Sequence, residues 1–317
     1  TGIGFEGDMT WLKGRSQVSS HQVFDQVRGA GEVIYPNTNA AQATDDANGH
    51  VSAWTADGVT LSGSSSNNDL NGDTYTYVAW NWLGANGTAT NETGDITSTV
   101  SANSTAGFSI VKYTGDDTSG STVGHGLSET PQMVILKKLT ATADWVVYSE
   151  IVGATAALSL DEDIVPYTYA AYFNNTAPTA SVFSLGDYTG VNASSNDYVA
   201  YCFHSVEGYS KIGSYVGNSN ADGPFIYTGF KPAYVLVKRI NDTRKWAIND
   251  NARNTYNVED NTLMPNTSEA ENTTQIYNDF VSNGFKSRLS SQTGNNSSGT
   301  YLYMAFAESP FKYANAR

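Results

Sequence analysis

The sequence predicts an all-β protein made of tandem antiparallel β-sandwiches, of jelly-roll or lectin-like type, strung in series. Three observations support this fold class. Short runs rich in aromatic and β-branched residues alternate with Gly, Pro, Asn and Asp, which is typical of strands joined by turns. The chain of 317 residues contains 20 Tyr and 29 Gly. Similar blocks of sequence recur three times in the same order, which indicates three divergent repeats.

The first and third repeats are the most alike. Phe5–Lys13 and Phe230–Lys238 place Phe and Lys at the same spacing. Residues 74–80 read Thr-Tyr-Thr-Tyr-Val-Ala-Trp, and residues 300–306 read Thr-Tyr-Leu-Tyr-Met-Ala-Phe. We align these two stretches as the closing strand of each repeat. The length differences fall between the blocks, as expected for loops that join strands.

The second repeat is more divergent. Pro131–Lys137 has the spacing of Pro232–Lys238, and Tyr198–Tyr201 resembles the closing strand. The second and third repeats share a leading strand, near Phe108–Gly115 and Tyr209–Gly217. The first repeat has no such strand. We therefore expect either that the chain is a piece of something longer or that another chain supplies this strand.

These blocks divide the chain into domains. Repeat 1 covers residues 1–85, repeat 2 covers residues 104–206 and repeat 3 covers residues 207–317. Residues 86–103 are rich in Gly, Thr and Asn and are predicted to be a linker. Repeat 3 contains every block and is expected to fold alone. One short helix is predicted over Ser268–Phe280, where Ser and Glu-x-Glu precede a weak apolar spacing.

Composition narrows the classes of partner. Asp and Glu number 31 against 17 Lys and Arg, so the formal net charge is −14. This charge argues against binding nucleic acid phosphates, which requires clustered Lys and Arg. It argues equally against binding an anionic membrane surface. No apolar run approaches the roughly 20 residues that span a bilayer, so membrane insertion is not expected.

Few residues suggest catalytic chemistry. His21, His50, His125 and His204 lack metal-ligand spacing and are predicted to be surface or turn residues. Cys202 lies in an apolar strand and is predicted to be a buried structural thiol. The sequence shows no hydrolase elbow, no phosphate-binding loop and no recurring pair of acids for glycoside hydrolysis. We therefore predict that the protein is not an enzyme.

One turn offers an alternative as a calcium loop. Asp69, Asn71 and Asp73 alternate oxygen ligands around Gly72, although the distal Glu of an EF-hand is absent. The same stretch falls where a hairpin turn is expected. A plain turn and a weak calcium site both remain open, and no other cofactor is expected.

An Asp-x-x-Arg motif occurs in two repeats, as Asp25 with Arg28 and as Asp250 with Arg253. Recurrence favours a scaffolding role, because an ion pair that braces a loop serves every repeat alike. Contact with a ligand is the alternative. The second repeat has Glu150 near this place and no Arg, so the fold does not require the pair.

The second repeat alone carries an aromatic insertion. Tyr167, Tyr169 and Tyr172 lie within Pro166–Phe173, which reads Pro-Tyr-Thr-Tyr-Ala-Ala-Tyr-Phe. Tyrosine combines a broad apolar ring with a polar hydroxyl, so it suits contact surfaces as well as cores. These three tyrosines are therefore predicted to form an exposed binding surface.

Several blocks also carry a family resemblance. They are Gly107–Gly115, Val123–Leu127, Pro131–Lys137, Gly229–Arg239, Ser282–Lys286 and Tyr303–Lys312. Together they resemble a domain common in structural proteins of marine tailed phages, and they extend over nearly the whole chain. The resemblance implies a virion protein encoded in or near tail-fibre genes, with no established catalytic residues to carry over. Repeats 1 and 3 also share a Pro-Asn-Thr block, at Pro36–Thr38 and Pro265–Thr267. The second repeat departs from the pattern, since its counterparts of this block and of the Asp-x-x-Arg block have decayed.

We therefore expect a non-enzymatic protein on the exposed surface of a phage virion, on the tail or the capsid. The first hypothesis is a tail-fibre or receptor-binding component that contacts a glycan or protein of the host surface. The alternatives are a capsid decoration or head-fibre protein and a polysaccharide depolymerase. The expected partners are other virion proteins, including further copies in a homo-oligomer. Multiplying weak sites would raise avidity.

Overall fold

The computed structural model describes residues 2–47, 49–63 and 70–309. These residues form short antiparallel strands and one short helix, so the all-β fold class is confirmed. The strands are β1 (Met9–Gly14), β2 (Gln22–Asp25), β3 (Glu32–Val33), β4 (Ala43–Thr44), β5 (His50–Thr55), β6 (Gly58–Ser62), β7 (Tyr77–Trp82), β8 (Ala89–Asn91), β9 (Ser98–Asn103), β10 (Phe108–Thr114), β11 (Thr122–Gly124), β12 (Met133–Lys138), β13 (Val146–Ser149), β14 (Ala156–Ser159), β15 (Tyr167–Thr168), β16 (Val182–Ser184), β17 (Asp197–Phe203), β18 (Ser210–Val216), β19 (Phe225–Tyr227), β20 (Pro232–Arg239), β21 (Ala247–Asp250), β22 (Asn278–Val281), β23 (Gly284–Ser287) and β24 (Thr300–Ala307). The helix α1 covers Thr189–Asn192.

Three main sheets form the framework. Sheet 1 has the order β2-β1-β7, and sheet 3 has the order β21-β20-β24-β18. Sheet 2 has the order β15-β14-β13-β12-β17-β10-β9-β8. The four strands β13-β12-β17-β10 therefore correspond to the whole of sheet 3, and sheet 1 corresponds to the first three of them. Each predicted repeat contributes one main sheet.

The three main sheets share one central core. On β20, Tyr234 and Leu236 face this core, whereas Val235 and Val237 face the outer side of sheet 3. This two-residue alternation is that of a strand buried on both faces. The central core also contains Met9, Trp11, Trp80 and Trp82 from sheet 1 and Ile110, Met133, Ile135 and Tyr201 from sheet 2. The repeats are thus not strung in series as the sequence suggested, because they pack around a common centre.

A small second layer covers the outer face of each main sheet. The pairs β3-β4 and β5-β6 pack on sheet 1, where Val33 and Val51 meet Leu12 and Phe24. The pair β11-β16 packs on sheet 2 in the same way. The three strands β19-β23-β22 cover sheet 3. Each repeat therefore has two layers of strands and an outer core of its own.

Residues 86–103 contain two strands, where the sequence predicted a linker. The strand β9 pairs with β10 over six residues, from Ser98 to Asn103, and β8 pairs with β9. Val100 is buried in the core between sheet 2 and its outer layer. A segment poor in large apolar residues can still form a strand when a neighbouring strand supplies its hydrogen bonds and packing.

The helix predicted over Ser268–Phe280 is absent from the structure. Phe280 belongs to β22. The backbone of the preceding stretch instead bonds to repeat 1, where Ser19 N donates to Ser268 O and Glu271 N donates to Arg15 O. These contacts with another repeat use backbone groups that a helix would have bonded internally, so tertiary context overrides a weak local preference.

The two closing-strand motifs are not equivalent residue for residue. Leu12 pairs with Ala79 on β7, whereas Val237, the residue equivalent to Leu12, pairs with Tyr303 on β24. Ala79 is therefore equivalent to Tyr303, and the sequence alignment of Ala79 with Ala305 is wrong by two residues. A shift of two residues leaves each side chain on the same face, so the hydrophobic pattern did not reveal it.

Candidate functional site

The first Asp–Arg pair lies in the interior. Arg28 Nε donates to Asp25 Oδ2 at 2.6 Å, and the two side chains are 1% and 0% exposed. The guanidinium also donates to the backbone carbonyls of Val23 and Glu32. Tyr201 of sheet 2 donates to the same carboxylate oxygen at 2.7 Å. The pair therefore braces sheet 1 against sheet 2.

The second pair repeats this arrangement between sheets 3 and 1. Arg253 Nε donates to Asp250 Oδ2 at 2.6 Å. Trp80 Nε1 of sheet 1 donates to that oxygen at 3.0 Å. Glu271 Oε2 accepts hydrogen bonds from both Arg253 and Arg15, each at 2.9 Å. This network, buried at Asp250 and Arg253 and half-buried at Arg15 and Glu271, joins residues that are far apart in the chain.

Sheet 2 has lost the corresponding charge. Strand pairing places Ser149 at the position of Asp25 and Asp250, and not Glu150 as the sequence suggested. On sheet 3, the residue equivalent to the donors Tyr201 and Trp80 is Met304. Its thioether has no hydrogen to donate to Ser149. The four Asp and Arg residues are buried and bonded within the protein. The structure therefore favours a scaffolding role over contact with a ligand.

Three of the four histidines are buried, contrary to the prediction of surface or turn positions. His21, His125 and His204 are buried, and His50 is half-buried. Burial lowers the pKa of His125 to about 4 and holds the pKa of His21 well below its usual value. Trp11 Nε1 donates to His21 Nδ1 at 3.0 Å. Such neutral rings act as packing and hydrogen-bonding groups.

The remaining candidates are the calcium-loop residues and the thiol of Cys202. Asp69 lies outside the described residues, and Asn71 and Asp73 are both exposed. Across residues 2–47, 49–63 and 70–309, no group of three or more His, Cys, Asp or Glu is placed to hold a metal ion. Cys202 is buried as predicted, and burial raises the pKa of its thiol to about 12. The thiol is therefore protonated and unreactive at neutral pH.

The tyrosines of the insertion form an exposed aromatic cluster. Tyr167 is 59% exposed and Tyr169 is 45% exposed, whereas Tyr172 is half-buried. The ring centroids of Tyr169 and Tyr172 lie 5.5 Å apart, edge to face. Tyr188 joins them, with its centroid 5.0 Å from that of Tyr172. We call Tyr167, Tyr169, Tyr172 and Tyr188 the tyrosine cluster.

Two chain segments hold the tyrosine cluster in place. The edge strand β15 carries Tyr167 and pairs with β14. Tyr188 N donates to Ala171 O, and Gly186 N donates to Tyr172 O, each at 3.0 Å. A side chain on Gly186 would meet the carbonyl oxygen of Ala171 at 2.2 Å. The two segments therefore approach this closely only because residue 186 is glycine.

Burial and nearby charge act on two phenols of the tyrosine cluster. Burial and then the nearby phenol of Tyr188 and carboxylate of Asp144 raise the pKa of Tyr172 to about 12. Burial followed by Asp144 also raises the pKa of Tyr188. The phenols therefore stay protonated and can donate hydrogen bonds at neutral pH. Flat apolar ring faces and hydroxyl donors together suit a polar, uncharged ligand such as a saccharide.

Sequence reasoning missed one member of this site, Tyr188. Tyr188 follows β16, so it does not belong to the insertion. No spacing pattern connects it with Tyr167 or Tyr169, because the contact arises only when sheet 2 folds. The aromatic insertion itself was the one usable signal.

Comparison with known proteins gives a family but no described activity. No curated protein and no solved structure matches the chain significantly. In the described part of the chain, no helix has the length and apolarity needed to cross a membrane. A family described as a domain of unknown function, DUF7483, matches residues 1–310. Since this match extends over nearly the whole sequence, the chain belongs to the DUF7483 family.

Proposed function

We propose that this chain is a non-enzymatic surface protein of a phage virion, a tail-fibre or receptor-binding component that binds a host surface glycan through the tyrosine cluster. The virion location rests on the sequence blocks that resemble structural proteins of marine tailed phages. The binding role rests on one observation, the exposed ring faces of Tyr167 and Tyr169. The half-buried rings of Tyr172 and Tyr188 pack against Tyr169.

The tyrosine cluster has the physical properties that saccharide binding requires. A sugar ring presents an apolar face of C–H groups, which packs on an aromatic face, and hydroxyls that need polar partners. The rings of Tyr167 and Tyr169 contact each other edge to face, with centroids 6.4 Å apart, so the two exposed rings form one continuous aromatic surface. Ile164 and Val165 are also exposed and widen the apolar surface beside them.

Replacing Tyr167 and Tyr169 with Ala should remove glycan binding without unfolding the protein. Because Tyr167 is 59% exposed and Tyr169, although it packs on two rings, is 45% exposed, their joint loss should lower the free energy of unfolding by only about 1 kcal/mol. Affinity for lipopolysaccharide or capsular polysaccharide of the host should fall by about tenfold or more. Surface plasmon resonance on immobilised polysaccharide measures the affinity, and urea denaturation measures the stability.

The matched control replaces Tyr227 and Tyr256, two exposed tyrosines outside the cluster, with Ala. This control should leave affinity unchanged. Equal affinity for the cluster variant and the control variant would contradict the proposal, and so would binding only to host protein. A fall in polysaccharide viscosity on incubation would instead indicate a depolymerase.

A capsid decoration protein is the second candidate, and the shared central core favours it. Three main sheets around one core make a compact body, and a body of this shape suits a protein that sits on a shell better than one that provides length. Immunogold labelling of intact particles distinguishes the two candidates. Label at the tail supports receptor binding, whereas label spread over the head supports decoration.

A further inference from the structure

A polar groove opens at one end of sheet 2, where β12 begins and β13 and β17 end. Glu129, Gln132, Glu150 and His204 are among the side chains that line it, and none of the described Lys or Arg side chains does. The polar groove encloses about 580 Å³. This volume lies in the usual range of small-molecule sites, roughly 300–1,000 Å³.

The two carboxylates of the polar groove have no cation of the protein beside them. Glu129 and Glu150 are exposed, and neither forms an ion pair with a described residue. Gln132 Nε2 donates to Glu150 Oε1, and Gln132 Oε1 accepts from Ser205 N at 2.7 Å. The first of these bonds orients the Glu150 carboxylate and leaves its second oxygen free to accept from a ligand.

His204 adds a buried acceptor to the polar groove. The residue is 7% exposed, and its Nδ1 lies 3.0 Å from the carbonyl oxygen of Ser205. Since a carbonyl accepts and cannot donate, Nδ1 of the neutral ring carries the proton and Nε2 presents a lone pair. In residues 2–47, 49–63 and 70–309, this buried Nε2 has no hydrogen-bond partner. Buried polar atoms normally have one, so a donor from a ligand is expected here.

Repeat 3 holds an ammonium group of its own at the equivalent end of sheet 3. Lys231 Nζ pairs with Glu308 Oε2 at 2.9 Å. Asn251 Nδ2 donates to Glu308 Oε1, also at 2.9 Å. The ends of these three side chains therefore meet at one place, with the carboxylate between the ammonium and the amide.

Repeat 2 keeps a carboxylate at this place and lacks the ammonium group. The equivalent residues follow from strand pairing: Lys231 corresponds to Thr130, Asn251 to Glu150 and Glu308 to Ser205. The carboxylate has thus moved to a neighbouring position, and the lysine has been replaced by threonine. The polar groove is acidic where repeat 3 is neutralised by its own lysine.

We propose that the polar groove binds a saccharide that carries a free amino group, with the ammonium at Glu150 as Lys231 lies at Glu308 in repeat 3. The Nε2 atom of His204 accepts a hydrogen bond from the same ligand. Four hydroxyl side chains complete the lining and can both donate to and accept from sugar hydroxyls: Ser104, Thr105, Thr130 and Ser205. A lysine side chain of a partner protein would satisfy the carboxylates and leave these hydroxyls without use.

The polar groove is separate from the tyrosine cluster. None of the residues that line it belongs to that cluster. Binding of an amino sugar in the polar groove therefore does not depend on glycan binding by Tyr167 and Tyr169. The variant with both of these tyrosines replaced by Ala should keep its full affinity for the amino sugar.

Isothermal titration of the full chain with the β-1,4-linked dimer of glucosamine tests the proposal. The dimer of N-acetylglucosamine has the same rings without the charge and should bind about tenfold more weakly or less. Glu150→Gln keeps the oxygen that accepts from Gln132 and removes the charge, so it should weaken binding of the glucosamine dimer by about tenfold or more. Glu92→Gln, at an exposed position outside the polar groove, is the control and should bind as the native protein does.

Thr130→Lys gives a second test, because it supplies from the chain the ammonium group that Lys231 supplies in repeat 3. The side chain of Thr130 is exposed, so this variant should fold, and it should no longer bind the glucosamine dimer. Equal affinity for the two sugar dimers, or unchanged affinity in Glu150→Gln or Thr130→Lys, would overturn the proposal. So would binding of the peptide Gly-Lys-Gly as tight as that of the glucosamine dimer, or loss of binding in the variant that lacks Tyr167 and Tyr169.

Discussion

Indole N–H groups tie neighbouring repeats together through backbone carbonyls. Trp145 Nε1 donates to Tyr35 O of repeat 1 at 3.0 Å. At the equivalent position of repeat 3, Trp246 Nε1 donates to Ser159 O of repeat 2 at 2.7 Å. Repeat 1 has His21 at this position. Hydrogen bonds are directional, so these contacts fix the order in which the repeats meet around the core.

The bond from Trp80 to Asp250 provides a residue-scale test of the buried network. Replacing Trp80 with Phe removes a hydrogen bond to a charged acceptor, so it should lower the free energy of unfolding by about 2 kcal/mol more than Trp82→Phe does. Trp82 is the matched control because it lies on the same strand and in the same core, packed on the rings of Tyr234 and Phe306. Urea denaturation measures the free energy of unfolding of both variants. Equal losses would show that the hydrogen bond from Trp80 to Asp250 contributes nothing to stability.

Glu259 gives the protein a predicted dependence on pH. Its Oε2 atom is buried and, within the part of the chain that the structure describes, has no hydrogen-bond partner. Burial first and the charge of Asp250 second raise the pKa of Glu259 from 4.5 to about 8. A carboxyl whose pKa is higher in the folded state stabilises the fold fully at pH values below its pKa in the unfolded chain. This stabilisation is lost as the pH rises through its pKa in the folded state.

The variant Glu259→Gln should therefore become more stable than the native protein as the pH rises. The melting temperatures of the two should be closest near pH 4.5, and the gap should widen up to about pH 8 because only the native side chain must ionise. Glu207→Gln, at an exposed position, is the control and should follow the native protein. A gap that does not change across this range would refute the assignment.

At the scale of elements, the sequence predicted the strands whose residues determine them locally. The apolar cores of β10, β12, β17 and β20 were all predicted, because Val, Ile and Tyr runs bounded by turn residues favour strands in any surroundings. The strand β9 and the stretch 268–280 were not, since each depends on a neighbour that is distant in sequence. The insertion that carries Tyr167 was predicted as a surface, whereas Tyr188 joins it only through the fold.

The strand β9 offers a direct test of the element that the sequence predicted to be a linker. Val100→Asp places a charge in the core under sheet 2, so it should lower the free energy of unfolding by roughly 3 kcal/mol or more. Thr99→Asp, at an exposed position of the same strand, should change it by about 0.5 kcal/mol or less. Comparable small effects of both variants would support the linker interpretation instead.

The shared central core changes what is expected of the molecule as a whole. Repeat 3 contributes four large side chains to the central core that it shares with the other two repeats: Leu236, Trp246, Met304 and Phe306. Cutting out repeat 3 would expose these side chains to water, at a cost of roughly 25 cal/mol per Å² of apolar surface. Repeat 3 alone is therefore not expected to be a stable monomer, although its sequence contains every block.

Scanning calorimetry of the intact chain and of its Leu236→Ala variant tests the shared core most directly. A shared core predicts one transition, with calorimetric and van't Hoff enthalpies in agreement, and a shift of that whole transition to lower temperature in the variant. Separate transitions, of which the substitution moves only one, would show that the repeats unfold independently and that no common core holds them together.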